Sequence, residues 1–187
     1  MISINKSFDS AAVSLLKSIV GKNFDCLRCD PFFYSTSVYG IVGISINSQW
    51  ISFTNFIEVL DHYGADEDVA VFKVSDCIEQ DIHSFTGENM LDIPIDMKII
   101  GVDIINENQR LYKSGIQTYD VWVTRGVIFK LENGREISLE KDVWFSEDII
   151  VERGENLIEK FASTNEFIEN FDGEYKAECQ RYTITIV

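Results

Sequence analysis

Four cysteines, two histidines and 31 carboxylate side chains are the residues of this chain with chemistry to offer. Cys26 and Cys29, in the run Cys26-Leu27-Arg28-Cys29, have the gap of a zinc half-site or a redox dithiol. A structural zinc needs two further ligands, and Cys77, Cys179, His62 and His83 form neither a second CxxC nor an HxxxH, so no metal is expected. A redox dithiol sits between a strand and a helix, whereas Asp30-Pro31 points to a loop. His62 and His83 accompany no nucleophile motif such as GxSxG, and both read as ordinary surface or capping residues. Carboxylate pairs suited to glycoside hydrolysis need separations that a sequence does not display. The expectation is a protein without catalytic residues or cofactor.

Carboxylates instead gather in two stretches. Glu58, Asp61, Asp66, Glu67 and Asp68 follow one another without an intervening Lys or Arg. The second stretch, Glu132 to Glu155, holds eight acidic residues against Arg135, Lys141 and Arg153. Within it Trp144 and Phe145 lie between Asp142 and the Glu147-Asp148 pair, which reads as an aromatic anchor inside an acidic rim. The partner-facing candidates are therefore Asp66, Glu67, Asp68, Glu140, Asp142, Trp144, Phe145, Glu147, Asp148 and Glu152. Burial of Trp144 in a core is the competing reading, since large aromatics are mostly buried.

The whole chain carries 31 acidic against 16 basic residues, a formal net charge of -15. Such a balance disfavours nonspecific attraction to nucleic acid or an anionic membrane and favours a basic protein partner, although acidity also serves plain solubility. The apolar run near the N-terminus is interrupted by Lys17, and no stretch approaches the ~20 apolar residues of a membrane helix. A cytoplasmic protein with free thiols is expected.

Hydrophobic content of 45% and a mean hydropathy of -0.01 belong to an ordinary globular protein, and 187 residues suit one domain, 1–187. Asp9 or Ser10 caps an expected helix whose apolar face is Ala12, Leu15, Leu16, Ile19 and Val20, with Gly21 as its stop. The segment 24–37 reads as irregular, and 38–47 as a strand weakened at Gly40 and Gly43. Phe53, Phe56, Ile57, Leu60 and Tyr63 have helical spacing and predict a central helix ending at Gly64. Strands follow at 69–74, 95–105 and 119–131, with a short helix at Ile78, Ile82 and Phe85. A C-terminal helix is expected from Glu155, with Leu157, Phe161, Ile168 and Phe171 as its stripe, before a last strand. The expected class is α+β: a mostly antiparallel, twisted sheet with packed N-terminal, central and C-terminal helices. Regular strand–helix alternation with a Gly-rich turn is missing, which argues against a doubly wound nucleotide fold.

Val127 to Leu139, VIFKLENGREISL, reads as a hairpin. A two-residue Asn133-Gly134 turn would put Phe129 opposite Ser138 and Leu131 opposite Glu136, pairing apolar with polar. A three-residue loop, Glu132-Asn133-Gly134 with Gly134 left-handed, puts Phe129 opposite Ile137, Val127 opposite Leu139 and Lys130 opposite Glu136. The second register is expected, with its apolar face on a core and its charged face outward.

The longer stretch GVIFKLENGREISLEKDVWFSEDIIVERGENLIEKF, from Gly126 to Phe161, resembles the C-terminal portion of small bacterial immunity proteins of contact-dependent growth inhibition and related polymorphic toxin systems. The resemblance implies a single-domain cytoplasmic protein that binds a cognate toxin domain, often a nuclease, and blocks its active site or substrate surface. The competing expectations are a ligand-binding or scaffolding domain without a toxin partner, and a carboxylate-dependent hydrolase.

Overall fold

A computed structural model describes residues 1–32 and 36–187. Part of the expected irregular segment, 33–35, lies outside the described residues. In chain order the elements are β1 (Ile2–Lys6), α1 (Ser10–Ile19), β2 (Asn23–Cys29), β3 (Ser37–Tyr39), β4 (Ile41–Ile46), β5 (Gln49–Asp61) and β6 (Asp66–Cys77). They continue with β7 (Leu91–Lys113), β8 (Ile116–Leu131), β9 (Glu136–Lys141), β10 (Asp148–Gly154), α2 (Asn165–Ile168) and β11 (Tyr175–Ile186).

The α+β expectation is corrected: strands make up 60% of the chain and helices 11%, and the fold is mostly antiparallel β. The N-terminal helix is present. Asp9 accepts the Ala12 amide at 2.8 Å, Ala12, Leu16 and Ile19 are buried, and Gly21 follows with φ +84°. The expected central helix is strand β5, paired with β6 from Trp50–Cys77 to Asp61–Asp66. Its helical spacing arises because the strand is covered on both faces over part of its length. Phe53 enters the main core, Phe56 packs edge-on to Phe85, and Leu60 lines a second compartment, so apolar residues break the period of two.

The C-terminal helix is also absent as such. Leu157–Lys160 is a 3-10 turn entered through Asn156 at φ 54°, and α2 is a single turn. Of the expected stripe Leu157 and Phe161 are buried and Ile168 and Phe171 partly buried, while Phe167, outside the stripe, is the buried residue of α2; these side chains anchor a loop laid over the sheet. Likewise the short helix near Ile78 shrinks to a 3-10 turn at Glu79–Asp81, and the CLRC segment is strand β2 rather than loop. Cys26 is half-buried and Cys29 fully buried, and all four cysteines are free thiols. No group of three or more His, Cys, Asp or Glu suited to a metal occurs among the described residues.

The sheet path runs β3-β10-β9-β8-β7-β2-β4-β5-β6. β3 and β4 are joined by the single residue Gly40, at φ +71°, so β10 on one and β2 on the other are carried by nearly continuous chain and the sheet returns on itself. Inside this ring Phe24, Phe53 and Phe129 meet edge-on, with ring centres 5.4 and 5.9 Å apart. α1 packs against β6 and β7. The long β7–β8 hairpin projects beyond the ring, and there β1 pairs parallel with β8 while β11 pairs antiparallel with β7.

The β8–β9 hairpin has the bulged register: Val127 opposite Leu139, Phe129 opposite Ile137 and Lys130 opposite Glu136, with Gly134 at φ +81°. Its second face is not outward. Ile128 packs with Ile105, Leu157 and Phe161, while Ser138 and Glu140 are 2% and 4% exposed beneath the C-terminal loop. No helix among the described residues is long and apolar enough to cross a membrane.

Candidate functional site: an acidic edge over a buried cationic pair

The two acidic stretches, far apart in sequence, meet in space. The β9–β10 connection crosses the β5–β6 hairpin and is tied to it by backbone and by one buried amide. Ala70 donates its N–H to the Trp144 carbonyl at 2.8 Å. The Asn55 side chain, fully buried, donates to the carbonyls of Ser146 and Asp148 at 3.0 and 2.9 Å. The Gly40 amide donates to the Glu147 carbonyl, and the Ile57 amide to its carboxylate. Buried backbone groups must be paired, and β5 and β6 have unpaired outer edges here, so the loop supplies the missing partners.

Trp144 is half-buried. It stacks on Phe167 with ring centres 5.2 Å apart and meets the His62 ring edge-on at 4.2 Å. Phe145 is 53% exposed beside His62, Val143 is exposed next to it, and Val59, opposite Asp68, is 68% exposed. Tyr39 and Ile57, both exposed, converge on Glu147, to which the Tyr39 hydroxyl donates. Asp66, Glu67 and Asp68 are exposed at the start of β6. The result is a strip of exposed apolar side chains with carboxylates beside it.

The other candidates are distributed differently. Asp142 is half-buried next to this strip. Asp148 accepts from Ser37 at 3.0 Å, and Glu152 accepts from Thr36 at 3.0 Å and pairs with Lys160, so both pin β10 to its surroundings. Glu140 lies inside the protein. It accepts the Arg125 Nε–H at 2.8 Å and the Ala162 amide at 3.0 Å, and it is closed to any partner.

Behind Trp144 lies a buried charged cluster that sequence reasoning missed. Asn106 pairs with Thr124 and Ile105 with Gly126, which leaves Arg125 as the extra residue of a bulge in β8. The bulge re-aims its guanidinium into the protein, where it is 5% exposed. Gly126 is needed beside it, because a Cβ there would meet the Leu139 carbonyl oxygen at 2.3 Å. Ile137, Leu139 and Lys141 alternate onto one face of β9, so Lys141 enters the interior at 7% exposure. Glu107 accepts from Arg181 at 2.6 Å and from Gln109 at 3.3 Å, and the Tyr63 hydroxyl donates to Gln109 at 2.9 Å.

Burial pulls the Lys141 ammonium down to about 8, with the neighbouring Arg125 charge acting in the same sense. Burial holds the His62 imidazole down to about 4, so it is neutral at pH 7. Burial, reinforced by Glu107, pushes the Cys179 thiol up to about 12 and keeps it un-ionised. Burial opposes the Arg125 charge, but Glu140 and Glu107 outweigh it and raise its proton affinity. Among the described residues neither imidazole is hydrogen-bonded to a serine, cysteine or carboxylate side chain, and His83 bonds only the Asp81 carbonyl. The only sequence hints of this cluster were Arg125 and Lys141 themselves, charged residues within or ending apolar strands.

Fold and site together define a ring-closed antiparallel β protein with an acidic, partly apolar edge. Comparison of the chain with protein-family models, with curated proteins and with solved structures finds no significant match.

Proposed function

We propose that this protein is an acidic immunity protein, one that binds a basic toxin domain and blocks its active-site or substrate surface without turnover of its own. The observation that carries the reading is the meeting of the two acidic stretches around exposed Phe145, Val143 and Val59. An interface needs a desolvated apolar centre for short-range affinity and a charged surround for register and steering, and this edge has both. A nuclease domain is the fitting class of partner, because a protein that must hold a polyanion has a basic cleft, to which a chain of net charge -15 is drawn. The same charge disfavours nucleic acid itself as the ligand.

The test is co-expression with the toxin domain encoded immediately upstream, read as growth rescue and as copurification of the two chains. Protection together with a stable complex is the expected result. A toxin that kills equally with and without this protein, and does not copurify with it, overturns the reading.

A further inference from the structure

Beneath the acidic edge a cavity of about 60 Å³ lies between β1, β8, the end of β9 and the β5–β6 hairpin. Lys141 and Arg125 both line it. Lys141 donates one hydrogen bond, at 3.1 Å to the Asp142 carbonyl, and no carboxylate among the described residues lies within ion-pairing distance of it. Arg125 spends its Nε–H on Glu140, while its buried Nη2 has no hydrogen-bond acceptor among the described residues. The Glu166 carboxylate oxygen is 3.9 Å from that nitrogen, beyond hydrogen-bond reach.

Buried donors and charges are paired in folded proteins, since an unpaired ammonium or guanidinium N–H away from water is costly. The other polar groups on the wall do not fill the role. Asp61, the carboxylate on the wall, accepts from the Tyr119 hydroxyl at 3.1 Å and from the Gly64 amide at 2.8 Å, and Glu107, which is not part of the lining, is held by Arg181 and Gln109. Lys6 is paired with Glu58 at 2.8 Å, Gln109 accepts from the Tyr63 hydroxyl and Thr124 donates to Asn106, and the remaining lining, including Ile4, Val121, Tyr63 and Trp144, is apolar or aromatic.

We infer that this cavity is a binding site for a small carboxylate, whose oxygens take the free donors of Lys141 and Arg125 and whose short apolar end faces Val121 and Trp144. At about 10–15 Å³ for each water-sized group the space suits a carboxylate of roughly one to three carbons. Bidentate-capable guanidinium and ammonium donors favour a carboxylate over a neutral amide of the same shape. The net charge of the chain does not forbid an anion here, because surface carboxylates beyond about 10 Å are screened at ordinary salt while the two buried cations are not. An open cleft of about 500 Å³ shares His62, Tyr63 and Trp144 with the cavity. This site is independent of the toxin-binding reading.

The experiment is thermal unfolding of the full chain with sodium acetate, against acetamide and against sodium chloride at equal ionic strength. Acetate is expected to raise Tm by about 3–6 °C at ten times its dissociation constant, rising with the logarithm of concentration, while acetamide and chloride leave it unchanged. Lys141→Met, which replaces a buried charge by an apolar side chain of similar length, is expected to abolish the shift. A second readout needs no variant: acetate methyl protons should give nuclear Overhauser contacts to the Trp144 indole and Val121 methyls in the wild-type protein. Equal stabilisation by acetamide or chloride, an undiminished acetate shift in a folded Lys141→Met protein, or absence of those contacts at saturating acetate would each overturn the assignment.

Discussion

The amide of Ala70 donates to the carbonyl of Trp144 at 2.8 Å, and that bond seats the β9–β10 connection against the outer edge of β6. Through it the carboxylates of Asp66, Glu67 and Asp68 and the exposed ring of Phe145 come to share one edge of the molecule. The relationship makes the partner-binding proposal specific enough to fail.

Replacing Asp66, Glu67 and Asp68 together by Lys should slow association with the basic toxin domain by about tenfold or more at low salt and flatten its salt dependence. The triple variant should unfold at the same urea concentration as wild type, since all three side chains are exposed. Phe145→Ala should act instead on dissociation, by about 2 kcal/mol, if the ring is a buried anchor in the complex. Stopped-flow or surface-binding kinetics separate the two effects, and unchanged kinetics in both variants would move the interface to another face.

Glu140→Gln should have the opposite profile. Its carboxylate is inside the protein against Arg125, so the change removes the charge hydrogen-bonded to a buried guanidinium and should cost about 3 kcal/mol in urea unfolding, Glu107 and Glu166 offsetting part of the loss. Where the variant remains folded, association with the partner should proceed at the wild-type rate. Wild-type stability with slowed association would show Glu140 to be a surface residue after all.

Lys141 makes stability depend on pH in alkaline solution. Its proton is lost near pH 8 in the folded chain and near 10.5 in the unfolded one, so across that window the unfolded state binds more protons. Stability should therefore rise with pH between 8 and 10.5, by at most about 1.4 kcal/mol per unit, and the contribution should be flat below 8 where both states hold the proton. Lys141→Met should lack this rise and be the more stable protein at pH 7 by about 1–3 kcal/mol. Urea midpoints for the two proteins at several pH values measure the gap, which should narrow as pH increases.

Gly134→Val should lower stability by about 1–2 kcal/mol, because φ +81° is strained for a β-branched side chain even though nothing stands within 4 Å of the new Cβ. Gly126→Ala should cost more, since its Cβ collides with backbone at 2.3 Å rather than with a side chain that can turn aside. Equal losses at the two glycines would contradict the bulge assigned at Arg125.

Local rules were enough wherever the chain's neighbours in sequence are also its neighbours in space. The Asp9 cap, the apolar face of α1 and the bulged loop at Gly134 depend on contacts within a few residues or across one hairpin, and each was legible before any fold was known. Charge and composition likewise marked the acidic stretches.

What periodicity could not report was how many faces of a strand are covered. β5 is packed on both sides over part of its length and imitates a helix, while the apolar stripe after Glu155 belongs to a loop that lies across the sheet. The site was divided in the same way. The exposed carboxylates of Asp66 to Asp68 were visible in the sequence, but their meeting with Phe145 depends on ring closure through Gly40 and on the buried amide of Asn55. Glu140 and Lys141, adjacent in the chain, point to opposite faces of β9, and both are buried only because long-range packing covers both faces. The sequence by itself determined the charge, the caps and the turns, which are properties of short segments. The tertiary structure alone decided which charges face water and which face one another, because burial is set by what the rest of the chain brings to each face.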